Sequence, residues 1–376
     1  MFNFDRENTG LLAKWWRNID KQIFFLFVFL FLLGLFFSFS STSTVVAEKM
    51  NKQTYFFFTK HLTFVFISLV LLITISIQDK NKLIERLFFL FFISILLLFL
   101  VPIFGVEVKG SKRWLNFLFL PQFQPIELVK PLFIIFVAKT VVLNEKVNIY
   151  YRHLYSFLFF LTIAILLIYQ PDLGQTLLLT LTWLTMIFVS GFNMIVLSIL
   201  GILFLGVIVL IIFIFPEKFG YIFFRVKTFI DPNKGDNFQS QKALDAITQG
   251  GLTGQGMGEG ILKDKVPEAH TDYIIAVISE EFGAIFVLFI VAIILFISYK
   301  VLNKIFSENN EFLKLALIGL VSILIIQTFI HIGVNIRLIP TTGMTLPFLS
   351  YGGSSLIGSS IIAGIILNFT RKDSVR

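Results

Sequence analysis

Residues 23–39 read IFFLFVFLFLLGLFFSF and contain no acidic or basic side chain. An apolar run of this length suits the hydrocarbon core of a bilayer, where a spanning helix needs about 20 apolar residues. It is longer than the roughly 7–15 apolar residues of a cleavable signal peptide, and no small-residue cleavage pattern follows it. The stretch therefore predicts a transmembrane helix that stays in the protein.

Similar runs recur along the chain, and they set the fold class. Of 376 residues, 56% are hydrophobic and only 14% are charged, whereas a soluble protein carries about 25% charged residues. The runs lack the alternation of outer-membrane barrel strands. We expect an all-α integral membrane protein, one polytopic bundle over residues 1–376 with a long extracytoplasmic loop at 217–271. The ten predicted spans are 22–42, 55–78, 84–104, 126–143, 154–170, 174–190, 193–216, 273–300, 312–336 and 346–369.

The distribution of positive charge predicts the orientation in the membrane. With the N-terminus inside, the cytoplasmic segments carry Arg6, Lys14, Arg17, Lys21, Lys80, Lys82, Arg86, Lys146, Arg152, Lys304, Lys314, Arg371, Lys372 and Arg376. Short outside loops are poorer in Lys and Arg, so both termini are expected in the cytoplasm. Segment 105–124 departs from this rule, because it places several cations on the outer side.

Several classes of function are excluded by composition. The chain has no cysteine, which removes disulfides, thiolate metal sites and cysteine nucleophiles. Its net charge of +8 follows largely from the orientation rule, and no nucleic-acid-binding signature accompanies it. The glycine-rich run 250–260 has neither a preceding strand nor a Walker lysine, so we interpret it as an outside turn and not as a nucleotide site.

The end of the long loop, KDKVPEAHTDY at 263–273, is the richest candidate site. It brings Glu268, His270 and Asp272 to the point where an apolar helix begins. Thr271 or Asp272 could simply cap that helix. The alternative is chemical, because a carboxylate beside hydrocarbon has its pKa raised toward the range of a general base. Glu280 and Glu281 lie deeper in the same helix, where ionisable residues normally mark a functional path.

A second candidate region contains GSKRW at 110–114 and QPIELVK at 124–130. Lys112 and Arg113 suit a diphosphate, which arginine can bind through two parallel hydrogen bonds. Glu127 and Lys130 stand three residues apart on one helix face, so a plain intrahelical ion pair is the alternative. For Trp114 the alternative is a plain interfacial anchor.

Two further segments combine turn residues with charge. QPDLG at 170–174 is explained mostly by turn formation. In 337–355, Pro340, Gly343 and Pro347 interrupt the helices on both sides. Broken backbone at membrane depth is tolerated where it lines a wet cavity, and Arg337 is expected to face that cavity.

In these motifs the sequence resembles the SEDS (shape, elongation, division and sporulation) family of polytopic peptidoglycan polymerases. The resemblance rests on PEAHTDY (267–273), GSKRW, QPIELVK, QPDLG, FQSQ (238–241) and LPFLSYGGSS (346–355), which occur in the family's order. Ala269 and Lys112 resemble the division branch more than the elongation branch. Ile126 and Gln175 depart from the family pattern, which usually has Ser and Thr there.

The resemblance implies a glycosyltransferase that links lipid II into glycan strands at the outer face of the bacterial cytoplasmic membrane. It places the family's essential acid on Asp272, for which we expect a general-base role. The cavity residues of the family match Arg113, Glu127, Lys130 and Arg337. Their neighbours in sequence add three substrate-binding candidates, Lys112, Glu268 and His270.

The resemblance also implies partners. Glycan strands must be cross-linked, and the sequence has no Ser-x-x-Lys accompanied by Lys-Thr-Gly, so a class B penicillin-binding protein is expected beside this chain with other division proteins at the septum. No resident cofactor is expected, although Mg²⁺ or Mn²⁺ could share the diphosphate charge. Alternatives left open are a lipid II flippase or other transporter, an inactive scaffold, and an elongation-branch polymerase.

Overall fold

The structure is a computed structural model that describes residues 10–372 except 42–54, 109, 117–120, 143–146, 194, 200, 203–205, 207–209, 211–213, 215 and 231–237. The named helices are α1 (Leu11–Asn18), α2 (Lys21–Ser41), α3 (Phe56–Ile77), α4 (Lys80–Phe104), α5 (Ile126–Val142), α6 (Ile149–Tyr169), α7 (Leu173–Val189), α8 (Pro216–Ile230), α9 (Phe238–Gly250), α10 (Ile274–Ile305), α11 (Glu311–Asn335) and α12 (Gly353–Phe369).

Helices α2 to α7 and α10 to α12 correspond to nine of the predicted spans. Within the described residues, α2, α3, α4, α6, α10 and α11 are long and apolar enough to cross a membrane, and α7 and α12 are shorter apolar helices. The predicted span at 193–216 lies largely outside the described residues. The all-α polytopic fold is therefore confirmed. Helix α12 begins later than predicted, because residues 346–352 form an irregular segment.

Glycines bring the helices of the bundle close together. A Cβ on Gly34 of α2 would come within 2.7 Å of the carbonyl oxygen of Phe348, and one on Gly319 of α11 within 2.6 Å of Ile134 in α5. Helices in a membrane associate through close packing, which small residues permit. The irregular 346–352 segment is thereby held inside the bundle against α2, and its Phe348 ring packs on Phe27 and Phe31.

The segment after α4 forms a β-hairpin, which the sequence did not predict. Strands β1 (Val106–Val108) and β2 (Ser111–Trp114) pair antiparallel, with Gly110 in the turn at φ 76°. Lys112 pairs across the hairpin with Glu107 and is exposed, whereas Arg113 is buried. Successive side chains of a strand point to opposite faces, so the hairpin separates these two neighbouring cations.

Helix α10 is interrupted at Gly283, and the glycine-rich run docks into the break. Gly283 has φ 79°, and a Cβ there would overlap the carbonyl of Leu252. Backbone hydrogen bonds join the two segments, from Gln255 N to Glu280 O at 2.8 Å and from Ala284 N to Gly251 O at 2.9 Å. The run is thus a packed element fixed to the bundle by its backbone.

Glu280 and Glu281 hold this docked segment in place. Glu280 accepts hydrogen bonds from the backbone N–H groups of Leu262 (2.7 Å) and Lys263 (2.6 Å). Glu281 forms an ion pair with Lys263 and accepts from Gly258 N at 3.1 Å. Both carboxylates are buried, as expected for their depth, but neither lines the main cavity described below. From the sequence, these two acids were expected to mark a functional path. In the structure their carboxylates bind the docked segment instead.

Candidate active site

A cavity of about 590 Å³ lies at the end of the bundle formed by the hairpin, the start of α5, the start of α10 and the 341–355 segment. Its charged and amide-bearing walls include Lys60, Arg113, Gln124, Glu127, Gln175, Arg225, Gln239, Glu268 and Asp272. Trp114 also lines it, so this side chain contributes to the cavity beyond any anchoring role. Residues from five of the six quoted motifs therefore meet around one space.

Asp272 and Arg113 face each other across Gly343. A Cβ on Gly343 would lie 3.5 Å from Asp272 Oδ2 and 3.8 Å from Arg113 Nη1. Gly343 itself adopts φ 69°, a left-handed conformation that glycine adopts at no steric cost. A side chain at position 343 would fill the space between the carboxylate and the guanidinium, so glycine keeps this part of the cavity open.

The backbone around Asp272 is fixed by the broken segment and by the end of α11. Tyr351 N donates to His270 O at 2.9 Å, and Ser350 Oγ donates to Thr271 O at 2.7 Å. Asn335 Nδ2 donates to Asp272 O at 3.1 Å. The residue that caps α10 is Tyr273, with no side-chain capping bond. The capping interpretation of Asp272 is therefore wrong, and its carboxylate faces the cavity.

Arg113 is positioned by the 170–174 turn. Its Nε donates to Gln170 O at 3.2 Å, its Nη2 donates to Pro171 O, and its Nε lies 3.8 Å from the Asp172 carboxylate. Asp172 in turn accepts from Gln175 N and so caps α7. The turn is structural, as predicted, and it also orients Arg113 so that Nη1 points toward Gly343 and Asp272.

Glu127 and Lys130 form the intrahelical ion pair that their spacing predicted, at 2.8 Å between Oε2 and Nζ. Glu127 also accepts from Gln175 Nε2 at 3.1 Å, and Lys130 lies 3.3 Å from Gln327 Oε1. Glu127 and Gln175 line the cavity, whereas Lys130 is buried behind them. Gln175, which stands where the family usually has Thr, thus takes a direct part in the cavity wall.

Three other candidates lie away from the cavity wall. Lys112 is on the outer face of the hairpin. The His270 ring packs between Phe57 (4.9 Å between ring centroids) and Tyr351 (5.6 Å), so these contacts are aromatic. Arg337 borders a smaller cavity of about 200 Å³ next to the main one. Glu268 does line the main cavity, where Thr271 Oγ1 donates to its carboxylate at 3.1 Å. The functional roles of all these residues remain predictions.

Arg225 is a cavity residue that the sequence reasoning missed. It lies on α8 within the long loop, and its Nη1 donates to Thr341 O at 3.1 Å. Burial lowers the pKa of Arg225, and the charge of Arg113 lowers it further. Tyr273 lines the same cavity. A lone arginine in a loop gives no signal in sequence; only docking of α8 reveals its place.

The charge pattern of the cavity suits a diphosphate sugar. Cations from β2 and α8 and carboxylates from α5 and from the segment that precedes α10 share one open space of mixed polarity. Within the described ranges, no three His, Asp or Glu side chains cluster as a metal site would require. The arrangement can bind an anion and remove a proton a few ångströms away.

Comparison with known proteins gives concordant matches. The family model described as "Cell cycle protein" (FTSW_RODA_SPOVE) matches residues 20–375. The probable peptidoglycan glycosyltransferase FtsW of Caulobacter vibrioides is 34% identical over 311 residues, which cover 81% of this chain and 77% of that protein. The protein of the same name from Haemophilus influenzae is 32% identical over 341 residues, covering 87% and 84%.

Solved structures show the same fold. A chain from a structure described as "Structural coordination of polymerization and crosslinking by a peptidoglycan synthase complex" superposes with a TM-score of 0.74 at 24% identity, covering 94% of this chain and 97% of that one. The crystal structure of the Thermus thermophilus rod shape determining protein RodA gives 0.69 at 23% identity, with the same coverage. The chain therefore belongs to the FtsW/RodA/SpoVE family, the SEDS family that its motifs resemble, and its curated relatives carry the name of the division branch, FtsW.

Proposed function

We propose that this chain is a peptidoglycan glycosyltransferase of the division branch, which polymerises lipid II into glycan strands at the outer face of the bacterial cytoplasmic membrane. The observation that carries the proposal is the pairing of Asp272 and Arg113 across Gly343 in one open cavity. The names of the relatives support the activity. The exposed apolar side chains of the spanning helices provide the lipid-facing surface that a lipid-linked substrate requires.

In the proposed reaction a hydroxyl of the acceptor sugar attacks the anomeric carbon of the donor. A new carbon–oxygen bond forms, and the bond from that carbon to the donor diphosphate breaks. Asp272 takes the hydroxyl proton as general base. The electron pair of the broken bond leaves with the lipid diphosphate, whose developing charge Arg113 stabilises. Direct displacement inverts the anomeric centre and requires no carboxylate nucleophile.

Polymerisation by the purified full-length chain tests this activity. Lipid II with a labelled sugar should be converted into long strands by the wild-type protein. The Asp272→Asn protein, purified and inserted in the same way, should give none. Absence of polymer from both proteins, with and without the partner described next, would refute the proposed function.

The proposal includes a class B penicillin-binding protein as partner, packed against this bundle through its single helix and contacting the 217–271 loop. Support comes from the structural neighbour described as a peptidoglycan synthase complex, in which polymerisation and crosslinking are coordinated. Contact with the loop would shift its population toward a competent arrangement. Polymerisation should rise with the cognate partner and stay raised when the transpeptidase serine is removed. Equal rates with no partner, active partner and inactive partner would contradict activation by contact.

Location and metal use belong to the same proposal. The charge distribution favours both termini in the cytoplasm, and the division branch implies the septum; a fluorescent fusion at the C-terminus tests both. No resident cofactor is assigned. A Mg²⁺ or Mn²⁺ ion would enter with the diphosphate and share its charge, so EDTA should slow polymerisation and added metal should restore it.

A further inference from the structure

A second cavity adjoins the main one on the side of the long loop. It has a volume of about 200 Å³ and lies between α8, the start of α9 and the 337–341 segment. Arg225 and Thr341 line both cavities, so the two spaces meet at these residues. The second cavity is therefore a side chamber of the candidate active site.

The described wall of the side chamber is positively charged. Arg225 and Arg337 supply two guanidinium groups, Thr228 and Ser240 supply hydroxyls, and no Asp or Glu is found among the described residues that line it. The main cavity differs, because it mixes two arginines with three carboxylates, those of Glu127, Glu268 and Asp272. Burial and the nearby Arg113 charge already lower the pKa of Arg225, so an anion here would relieve repulsion between cations.

The two arginines are held in place by their neighbours. Arg337 sits at φ 58° and its Nη1 donates to Gln241 Oε1. Non-glycine residues in this left-handed region cost free energy and occur disproportionately at functional sites. Arg225 donates from Nη1 to Thr341 O. Each of these bonds uses one of the five N–H donors of a guanidinium, which leaves an edge of each group for a phosphate oxygen.

Apolar side chains line the side chamber beside the two arginines. They are those of Phe224, Phe229, Ile339 and Pro340. Phe224 is 53% exposed, and Ile230 on the same helix is 74% exposed. Arginine pairs beside exposed aromatic and aliphatic side chains suit a ligand that joins a phosphorylated head to a hydrocarbon tail.

Transfer between two lipid-linked sugars involves two diphosphates. One leaves the donor at the anomeric carbon, where Asp272 and Arg113 act. The other stays on the acceptor, at the far end of the sugar unit whose hydroxyl attacks. We propose that the side chamber lined by Arg225 and Arg337 binds this retained diphosphate of the acceptor; the assignment rests on the proposed function. Arg225 lines both cavities, so its guanidinium would lie between the donor diphosphate and the acceptor diphosphate.

Counting bound substrate in an enzyme that cannot turn over tests the assignment. The full-length Asp272→Asn protein in detergent micelles should bind two lipid II molecules by native mass spectrometry. In the same background, Arg225→Gln with Arg337→Gln should weaken the second binding event at least about tenfold, the size expected for losing a charged hydrogen bond. Arg337→Lys should weaken it less, because it keeps the charge and loses the fork.

Two variants separate binding from structure. Lys227→Gln removes an exposed cation from the same helix, outside both cavity walls, and should keep two bound molecules. Gln241→Ala removes the hydrogen-bond partner that holds Arg337 and leaves the Arg337 charge, so it should weaken the second binding event less than the double arginine variant does. If Lys227→Gln loses the second molecule, or if Gln241→Ala loses it as fully as the double arginine variant does, the loss is nonspecific or structural and the assignment is overturned.

The remaining outcomes are also decisive. If no second lipid II binds, or if the arginine variants bind it as tightly as the parent protein, the assignment of the side chamber to the acceptor diphosphate is overturned. The proposed function is unaffected by either result. Phosphatidylglycerol that displaces the second lipid II at equal concentration would assign the chamber to phospholipid headgroups and overturn it as an acceptor subsite. Failure to bind any lipid II would contradict the proposed function itself.

Discussion

Two acidic regions lie within ten residues of each other at the start of α10, and they behave differently. Asp272 faces a cavity of about 590 Å³ opposite Arg113. Glu280 and Glu281 are almost fully buried, and backbone N–H groups and Lys263 surround them. The first carboxylate lines a substrate-sized space, whereas the other two lie outside that lining and bind backbone N–H groups and Lys263.

The difference shows that burial of an acid does not identify its role. A buried carboxylate is stable only when hydrogen bonds or cations compensate its lost hydration. For Glu280 and Glu281 the docked glycine-rich run provides that compensation. Near Asp272, glycine at position 343 keeps space where a ligand can approach. Substitutions in and around the two regions test this contrast, beginning with the carboxylate that faces the cavity.

Asp272→Asn should lower polymerisation at least about 100-fold, the lower range for loss of a general base. Thermal stability should hardly change, because asparagine has nearly the size of aspartate and Asp272 is not the N-cap residue of α10. The measurements are labelled lipid II polymerisation and the melting temperature in detergent. Asp245→Asn, at a half-buried acid on α9 that lines neither cavity, is the control. Near-normal synthesis by the folded Asp272→Asn protein would contradict the general-base assignment.

Arg113→Ala should lower both substrate binding and rate, the latter by about 100-fold, as when one transition-state donor is removed. Arg113→Lys should retain only part of the substrate binding and rate that Arg113→Ala loses. The guanidinium reaches the Gln170 and Pro171 carbonyls and Gly343 at once, which a single ammonium cannot do. Steady-state kinetics against lipid II concentration measures this. Full activity of the Arg113→Lys protein would show that Arg113 contributes only its positive charge.

Glu281→Gln should destabilise the protein by about 3–5 kcal/mol, because it leaves the buried Lys263 without its counter-ion. Adding Lys263→Met should restore much of the lost stability, because both charges of the ion pair are then absent. Melting temperatures of the two single variants and the double variant form the cycle. If Glu281→Gln lowers activity and leaves the melting temperature unchanged, Glu281 has a functional role and not a structural one.

Gly283→Ala should destabilise docking of the glycine-rich run. The backbone at φ 79° and ψ 172° is essentially restricted to glycine and costs another residue about 1–3 kcal/mol, and the new Cβ would overlap Leu252 O. Gly251→Ala is the control, because it also has positive φ but open space around the Cβ position. Hydrogen exchange of residues 250–260 should rise more in Gly283→Ala. Equal effects of the two substitutions would show that the close approach is unimportant.

Lys112→Gln should change polymerisation by at most about fivefold, because Lys112 is exposed on the face of the hairpin opposite Arg113 and an exposed charge is worth at most about 1 kcal/mol. The assay is the one used for Arg113, with which it forms a matched pair of adjacent cations. A loss comparable to that of Arg113→Ala would show that substrate contacts both faces of the hairpin.

Local sequence was sufficient to predict the membrane fold and some of the residues that line the site, among them Asp272, Arg113 and Glu127. Apolar runs of bilayer length leave a chain few alternatives to spanning helices, since backbone groups must be satisfied inside each helix. Motif order identified the family, and the spacing of Glu127 and Lys130 predicted their ion pair, because contacts within one helix follow from periodicity.

Which charged groups share a space became clear only from the folded chain. Arg113 and Lys112 are neighbours in sequence, yet the pairing of a short hairpin turned one inward and the other outward. Arg225 reached the cavity because α8 docked against the 341 segment. The fate of each acid near α10 depended on partners far along the chain, Gly343 for Asp272 and Lys263 for Glu281. Local patterns fix helices and spacings, whereas exposure and electrostatic pairing depend on long-range packing that no local pattern encodes.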